Sequence, residues 1–300
     1  MKANVLDQFG GPDNFSYRES DTPEPSDGRV LVRVIASGVN LGDALIRSGS
    51  TGLPLPLPLV LGSEAAGYIE AVGSSVTSLV IGQRVFAAPF AIGALGGGYA
   101  THMVVDAAAV FPILDGVSFE DAVALGVAGI TALHLVRAVP VAGRSVLVHS
   151  AAGGVGNLLL QLAKARGASP LIATVGSAAK ADAIAALGPD LVIDYSNAAW
   201  PQAVRDVTSG RGADVIFDAA GGALSSQGLT VLADSGHFVA YGGPAAPIRL
   251  SPRRKCPASS PRRKRSGASR CGRYSAIPGG AEMPWSRISP NFMHSWRPDR

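Results

Sequence analysis

No cysteine precedes Cys256, and Cys256 and Cys271 are the two that the sequence contains. A disulfide framework or a thiolate zinc site therefore cannot form upstream of residue 256, and a reducing, cytoplasmic setting is the expectation. Aromatic residues are also scarce: nine Phe, six Tyr and three Trp stand against 37 Gly, a balance that favours a turn-rich α/β architecture over a helical bundle. Long apolar runs are missing. The nearly uncharged stretch that matters most, Ala122 to Val136, includes Thr131 and His134 and falls short of the ~20 residues a bilayer span needs. The opening Met1 to Asp7 turns polar too soon for a signal-peptide core, so no export signal or membrane partner is expected. What is present is ample core material, 47% apolar and 16% charged residues over 300 positions, a length that suggests about two domains.

The net charge of +4 hides a division. Residues 1–250 carry fourteen Lys/Arg against twenty Asp/Glu, giving −6, whereas residues 251–300 carry twelve against two, giving +10. In that tail Arg253-Arg254-Lys255 and Arg262-Arg263-Lys264-Arg265 lie among Pro and Ser without helical or strand periodicity, so a poorly ordered basic extension is expected. Such runs can neutralise nucleic-acid phosphates, although a solvated extension is the plainer reading. The abrupt rise of Arg, Pro, Ser, Cys and Trp after Leu250 also suggests a shifted reading frame.

Residues 1–120 read as a β-rich domain. Val30 to Ala36, Gly67 to Val72, Arg84 to Ala87 and Ala100 to Val105 are β-prone runs separated by turn residues. Leu53-Pro54-Leu55-Pro56-Leu57-Pro58 must be extended, because each proline removes a backbone donor and restrains its predecessor. From Ser118, which can cap a helix, one long helix to Val136 is predicted, and a second domain occupies residues 121–250. There strands at Ser145–His149, Leu171–Val175, Leu191–Ile193, Asp214–Phe217 and His237–Tyr241 alternate with helices at Val155–Ala165 and Ala178–Leu187. That rhythm predicts a Rossmann-type, doubly wound parallel sheet of five legible strands, the place of a sixth being taken by the tail.

The first strand-to-helix turn reads Ser150-Ala151-Ala152-Gly153-Gly154-Val155-Gly156, a variant dinucleotide fingerprint. Gly153 and Gly154 let the backbone approach a pyrophosphate, Gly156 permits close helix–strand packing, and the helix N-terminus offers N–H groups to the anion. A site for NAD usually places a carboxylate about 20 residues on. Here Thr174-Val175-Gly176-Ser177-Ala178-Ala179-Lys180 contains none, and Ser177 and Lys180 can donate to a 2′-phosphate, which predicts NADPH.

Taken with Gly38-Val39-Asn40, Asp43, Leu61-Gly62-Ser63-Glu64, Gly82-Gln83-Arg84-Val85 and Gly98-Tyr99-Ala100, the loop resembles the medium-chain dehydrogenase/reductase superfamily, in its zinc-independent quinone oxidoreductase branch, over about residues 1–247. The resemblance implies a GroES-like domain followed by a Rossmann domain, with the active site in a cleft between them. It implies hydride transfer from NADPH to a quinone or activated enone without zinc. Asn40 and Ser63 stand where zinc-dependent relatives have ligands. By the same resemblance Asn40 and Asp43 would line the nicotinamide side, Thr131 would approach the cofactor, and Gly153, Gly154, Val155 and Gly156 would hold the pyrophosphate. Gly176, Ser177, Lys180 and Tyr195 would surround the 2′-phosphate, and Tyr241 and Gly242 would pass the nicotinamide ribose.

Two departures stand out. The tyrosine that often follows the Arg-x-Gly element is missing from Arg47 to Gly52, and residues 251–300 lack the features with which the family completes its sheet and forms a homodimer. The alternative reading is a noncatalytic NADPH-binding protein whose basic tail contacts nucleic acid.

Overall fold

The computed structural model describes residues 1–94, 96–242 and 273–276, the last four as backbone. The basic clusters near 253 and 262 lie outside the described residues. The chain divides into two compact units between Val127 and Ala128.

The first unit begins with β1 (Lys2–Leu6), β2 (Phe15–Glu19), β3 (Arg29–Ser37) and α1 (Leu41–Ser48), followed by β4 (Leu59–Val60), β5 (Ala65–Val72) and β6 (Arg84–Ala87). It continues through β7 (His102–Asp106), β8 (Val110–Pro112), α2 (Phe119–Ala124) and the start of α3 (Val127–Ala138). An antiparallel five-stranded sheet runs β7-β3-β5-β6-β8, and a small sheet runs β2-β1-β4. Alternation in β3 sends Val30 and Val32 into a core with Ile69, Val85, Met103 and Val105. In the Leu-Pro segment the prolines are exposed, whereas Leu55 and Leu57 pack beside Leu6, Ile46 and Leu61, so the repeat itself produces an apolar inner edge.

The single helix expected from Ser118 to Val136 is two helices. Ser118 Oγ does accept the Asp121 N–H at 2.9 Å as an N-cap, but α2 ends at Ala124, with Leu125 its C-cap, and α3 starts afresh at Val127. The break falls at Gly126, where a Cβ would sit 2.0 Å from Glu64 Oε2 and 2.5 Å from the Phe86 ring. Close approach of a buried carboxylate to the backbone decides the break.

The second unit contains β9 (Val146–Val148), α4 (Gly154–Ala165), β10 (Leu171–Val175), α5 (Ala178–Ala185), β11 (Leu191–Asp194), α6 (Trp200–Val207), β12 (Ala213–Asp218), α7 (Gly222–Thr230), β13 (Leu232–Ala240) and β14 (Arg273–Ala276). Its sheet is parallel throughout, in the order β11-β10-β9-β12-β13-β14. This is the 3-2-1-4-5-6 order of a doubly wound nucleotide fold. β14 corrects the five-strand expectation: a short segment of the tail pairs with β13 from His237↔Arg273 to Ala240↔Ala276. Both faces are covered. Val146, Val148, Val215 and Phe217 enter one core layer while Leu147 and Ile216 enter the other with Trp200 and Phe238, which explains why these strands read as continuous apolar runs. Among the described residues no helix is long and apolar enough to cross a membrane.

Candidate functional site

The C-terminal ends of the parallel strands share one edge, where open α/β sheets bind ligands. The turn after β9 is pinned on both sides, by Ala151 N–H donating to Thr174 O at 3.0 Å and by Gly153 N–H donating to Ser150 O at 3.0 Å. Ser150 sits at φ 54°, a left-handed conformation that costs a non-glycine residue energy. Gly153 is the N-cap of α4 and its carbonyl accepts the Asn157 N–H at 2.8 Å. The first-turn N–H groups of Gly154, Val155 and Gly156 thereby become donors for an anion. A Cβ on Gly156 would lie 2.4 Å from Ser150 O and 2.9 Å from Ala151 Cα, so only glycine lets the helix start this close to the strand. A Cβ on Gly154 would meet Ala128 Cβ at 3.7 Å, which sets the first turn of α3 against the loop, with Thr131 one turn further along.

At the end of β10, Ser177 caps α5 by accepting the Lys180 N–H at 3.4 Å, and Lys180 is exposed one turn in. Tyr195 follows β11 and donates its N–H to Val175 O at 2.9 Å. Its hydroxyl would be 2.7 Å from a Cβ on Gly176, so the glycine seats the tyrosine over the strand end. Gly176, Ser177, Lys180 and Tyr195 are thus gathered in one place. Three donors, with no acid between Val175 and Asp182, suit an anion there.

Tyr241 and Gly242 stand at the end of β13, next to Asp218. Tyr241 N–H donates to Asp218 O at 2.9 Å, while the Tyr241 side chain turns into the core, its hydroxyl buried without a partner. What Tyr241 presents at the sheet edge is therefore main chain. Asp218, missed from sequence, shapes the next turn by accepting Ala220 N–H at 2.9 Å and the Ser225 hydroxyl. His149 is fully buried, its Nδ1 2.7 Å from Thr174 Oγ1 and its ring edge-on to Trp200; burial holds its pKa below the usual imidazole range.

In the first unit Asn40 is the N-cap of α1, and Asp43 reaches back to accept the Asn40 N–H at 3.0 Å. The same Oδ2 of Asp43 accepts the hydroxyls of Ser63 (3.2 Å) and Tyr99 (3.1 Å). Asn40 Nδ2 donates to Glu64 Oε1 at 2.8 Å and Ser63 Oγ at 3.2 Å. Since a carboxylate only accepts, the amide orientation follows from its partner. Glu64 Oε2 accepts the Val127 N–H at 2.7 Å. Burial, followed by the Asp43 charge, keeps the Tyr99 phenol protonated well above its ordinary range. Asp43, Val39, Ala44, Arg47, Phe15 and Tyr99 also border a cavity of about 370 Å³. Tyr99 and Glu64 lie inside motifs that the sequence makes visible, yet nothing in their spacing announces these contacts.

The zinc positions of the superfamily do not suit a metal here. Asn40 offers N–H groups inward, and Ser63 Oγ is already shared between Asn40 and Asp43, a neutral and hydrogen-bonded pair unlike a tetrahedral N/S set. Among the described residues no three His, Cys, Asp or Glu side chains cluster to hold an ion.

Residues 26–115 match the alcohol dehydrogenase GroES-like domain, and residues 154–274 match the zinc-binding dehydrogenase family. The quinone oxidoreductase of Pseudomonas aeruginosa is 37% identical over 242 residues, covering 80% of this chain and 73% of the relative. A 2-haloacrylate reductase of a Burkholderia species is 34% identical over 262 residues, covering 83% and 76%. The crystal structure of Escherichia coli quinone oxidoreductase complexed with NADPH superposes with a TM-score of 0.75 at 33% identity, covering 81% of this chain and 73% of that one. The GroES-like sheet, the 3-2-1-4-5-6 nucleotide sheet and these likenesses together show that the chain belongs to the medium-chain dehydrogenase/reductase superfamily, in its quinone oxidoreductase branch.

Proposed function

We propose that this protein is an NADPH-dependent oxidoreductase that reduces a quinone or an activated enone without zinc. The observation that carries the reading is the strand end after β10, where Ser177, Lys180 and the Tyr195 hydroxyl stand together and no acid follows before Asp182. A ribose 2′-phosphate gains charge-assisted hydrogen bonds there, whereas the carboxylate that would hold a free 2′-hydroxyl is missing. The relatives named quinone oxidoreductase and 2-haloacrylate reductase support acceptors whose reacting carbon or carbonyl is already electrophilic.

When bound, NADPH supplies a hydride from its reduced nicotinamide. The chain's own work is placement: Gly153, Gly154, Val155 and Gly156 would hold the pyrophosphate, Thr131 would approach the cofactor, and Gly242 would give close main-chain approach at the end of β13. Asn40 and Asp43 would line the nicotinamide side, with Asp43 fixed by three donors to its Oδ2. The cysteine-free 1–255 stretch is consistent with a cytoplasmic enzyme.

The test is oxidation of NADPH by a simple benzoquinone and by an enone, each with and without a metal chelator. Turnover that the chelator leaves unchanged is expected. Loss of turnover on chelation, restored by zinc, would overturn the metal-free reading, and absence of turnover with either acceptor would overturn the activity.

A further inference from the structure

Glu64 is 2% exposed, and its carboxylate occupies a slot made by two glycines. A Cβ on Gly38 would sit 2.1 Å from Glu64 Oε1, and one on Gly126 would sit 2.0 Å from Oε2. Neither glycine has a positive φ, so backbone freedom does not account for them. Room for the carboxylate does. Each oxygen then meets one N–H donor: Oε1 takes Asn40 Nδ2 at 2.8 Å and Oε2 takes the Val127 N–H at 2.7 Å, in the first turn of α3. The carboxylate is thus the shared acceptor that ties the N-cap of α1 to the start of α3.

We infer that Glu64 is a positioning residue, whose two oxygens fix the amide orientation of Asn40 and lock it to the α3 N-terminus. The inference rests on the proposed reductase reading insofar as Asn40 faces the reacting ring. Only the ionised form satisfies both donors. Protonation puts an O–H against one of them; the Val127 N–H cannot turn round, whereas the Asn40 amide can rotate and offer its oxygen. Burial raises the pKa of Glu64 to about 7, against the hydrogen bonds from Asn40 and Val127 that lower it. The ionisable groups acting on it are Asp43, from α1, and the Tyr99 phenol, from the turn before β7.

A sign contrast follows. The folded pKa lies above the ordinary 4.5, so the native state binds this proton more tightly than the unfolded chain. The stability contribution of Glu64 is full in acid and is lost as pH rises through about 7. Activity should move the other way and rise over the same interval.

The experiment compares the full chain with Glu64→Gln, following NADPH oxidation by benzoquinone from about pH 5.5 to 8.5, with kcat and KM separated. The same samples are followed by thermal melting and by the side-chain amide signal of Asn40 in nitrogen-labelled protein, assigned through Asn40→Asp. Expected are a kcat that rises several-fold through the pH window, a falling melting temperature, and an Asn40 signal that titrates with both. In Glu64→Gln the expectation is a kcat reduced ~10-fold or more by misplacement, little change in NADPH affinity, and flat pH responses. An Asn40 signal insensitive to pH in the natural protein, or the same kcat profile in both proteins, overturns the inference. Should the natural protein show no turnover while its Asn40 signal titrates, the reductase reading fails and the carboxylate clamp stands. The titration of the natural protein decides the matter even if Glu64→Gln does not fold.

Discussion

From Ser150 to Gly156 the second unit works with main chain and with the absence of side chains, whereas around Asn40 the first unit works with side chains drawn from distant segments. The loop places its donors by capping α4 with Gly153 and leaving no Cβ at Gly156, and it holds no ionisable group. The cluster joins Asn40 to Glu64 across 24 positions, Asp43 to Tyr99 across 56 and Glu64 to Val127 across 63. The loop therefore carries no titratable side chain of its own, while the cluster contains a carboxylate that burial brings near neutrality. In the proposed function, binding of phosphate and positioning of the reacting ring fall to parts that respond to different perturbations.

The strongest way to break that comparison is to put a side chain where the loop needs none. Gly156→Val would drive two methyls towards the Ser150 carbonyl, a backbone atom that cannot move aside. A loss of roughly 3 kcal/mol or more in unfolding free energy is expected from overpacking, read by urea denaturation, together with loss of NADPH binding. A variant as stable as the natural protein would contradict the close-packing account.

A gentler change sharpens the comparison from the phosphate side. Lys180→Ala should weaken NADPH by roughly 1.5–3 kcal/mol, the scale of a hydrogen bond to a charged group, and leave NADH nearly unaffected. Calorimetric titration with both nucleotides checks it, and equal loss for the two would reject the 2′-phosphate assignment. Smallest of the three is Tyr99→Phe, which deletes one of three donors to Asp43 Oδ2. Asp43 keeps the other two, so a cost of about 1 kcal/mol in stability is expected, with NADPH affinity unchanged.

The same contrast explains what could be read from sequence. β9, β10 and β12 lie between two covered layers, so their apolar runs are continuous, and the loop that follows β9 is a contiguous string with its own signature. β2 escaped notice because Phe15-Ser16-Tyr17-Arg18-Glu19 is half-buried to exposed and lies at the edge of a small sheet. α6 buries only Trp200 and Val204 and carries Pro201 in its first turn, and α7 is rich in Gly and Ser, so neither shows a broad apolar face. The split between α2 and α3 and the position of Glu64 are one fact seen from two places: the carboxylate requires the glycine, and no local pattern couples residues 64 and 126. Asn40 and Asp43 were visible through the family motif; their partners Ser63, Glu64 and Tyr99 needed the fold.

Isothermal titration of the full chain with NADPH and, separately, with NADH tests the central claim most directly. The account predicts at least ~10-fold tighter binding of NADPH, equivalent to about 1.4 kcal/mol, through the group formed by Ser177, Lys180 and Tyr195. Equal affinity, tighter binding of NADH, or no binding of either would contradict it.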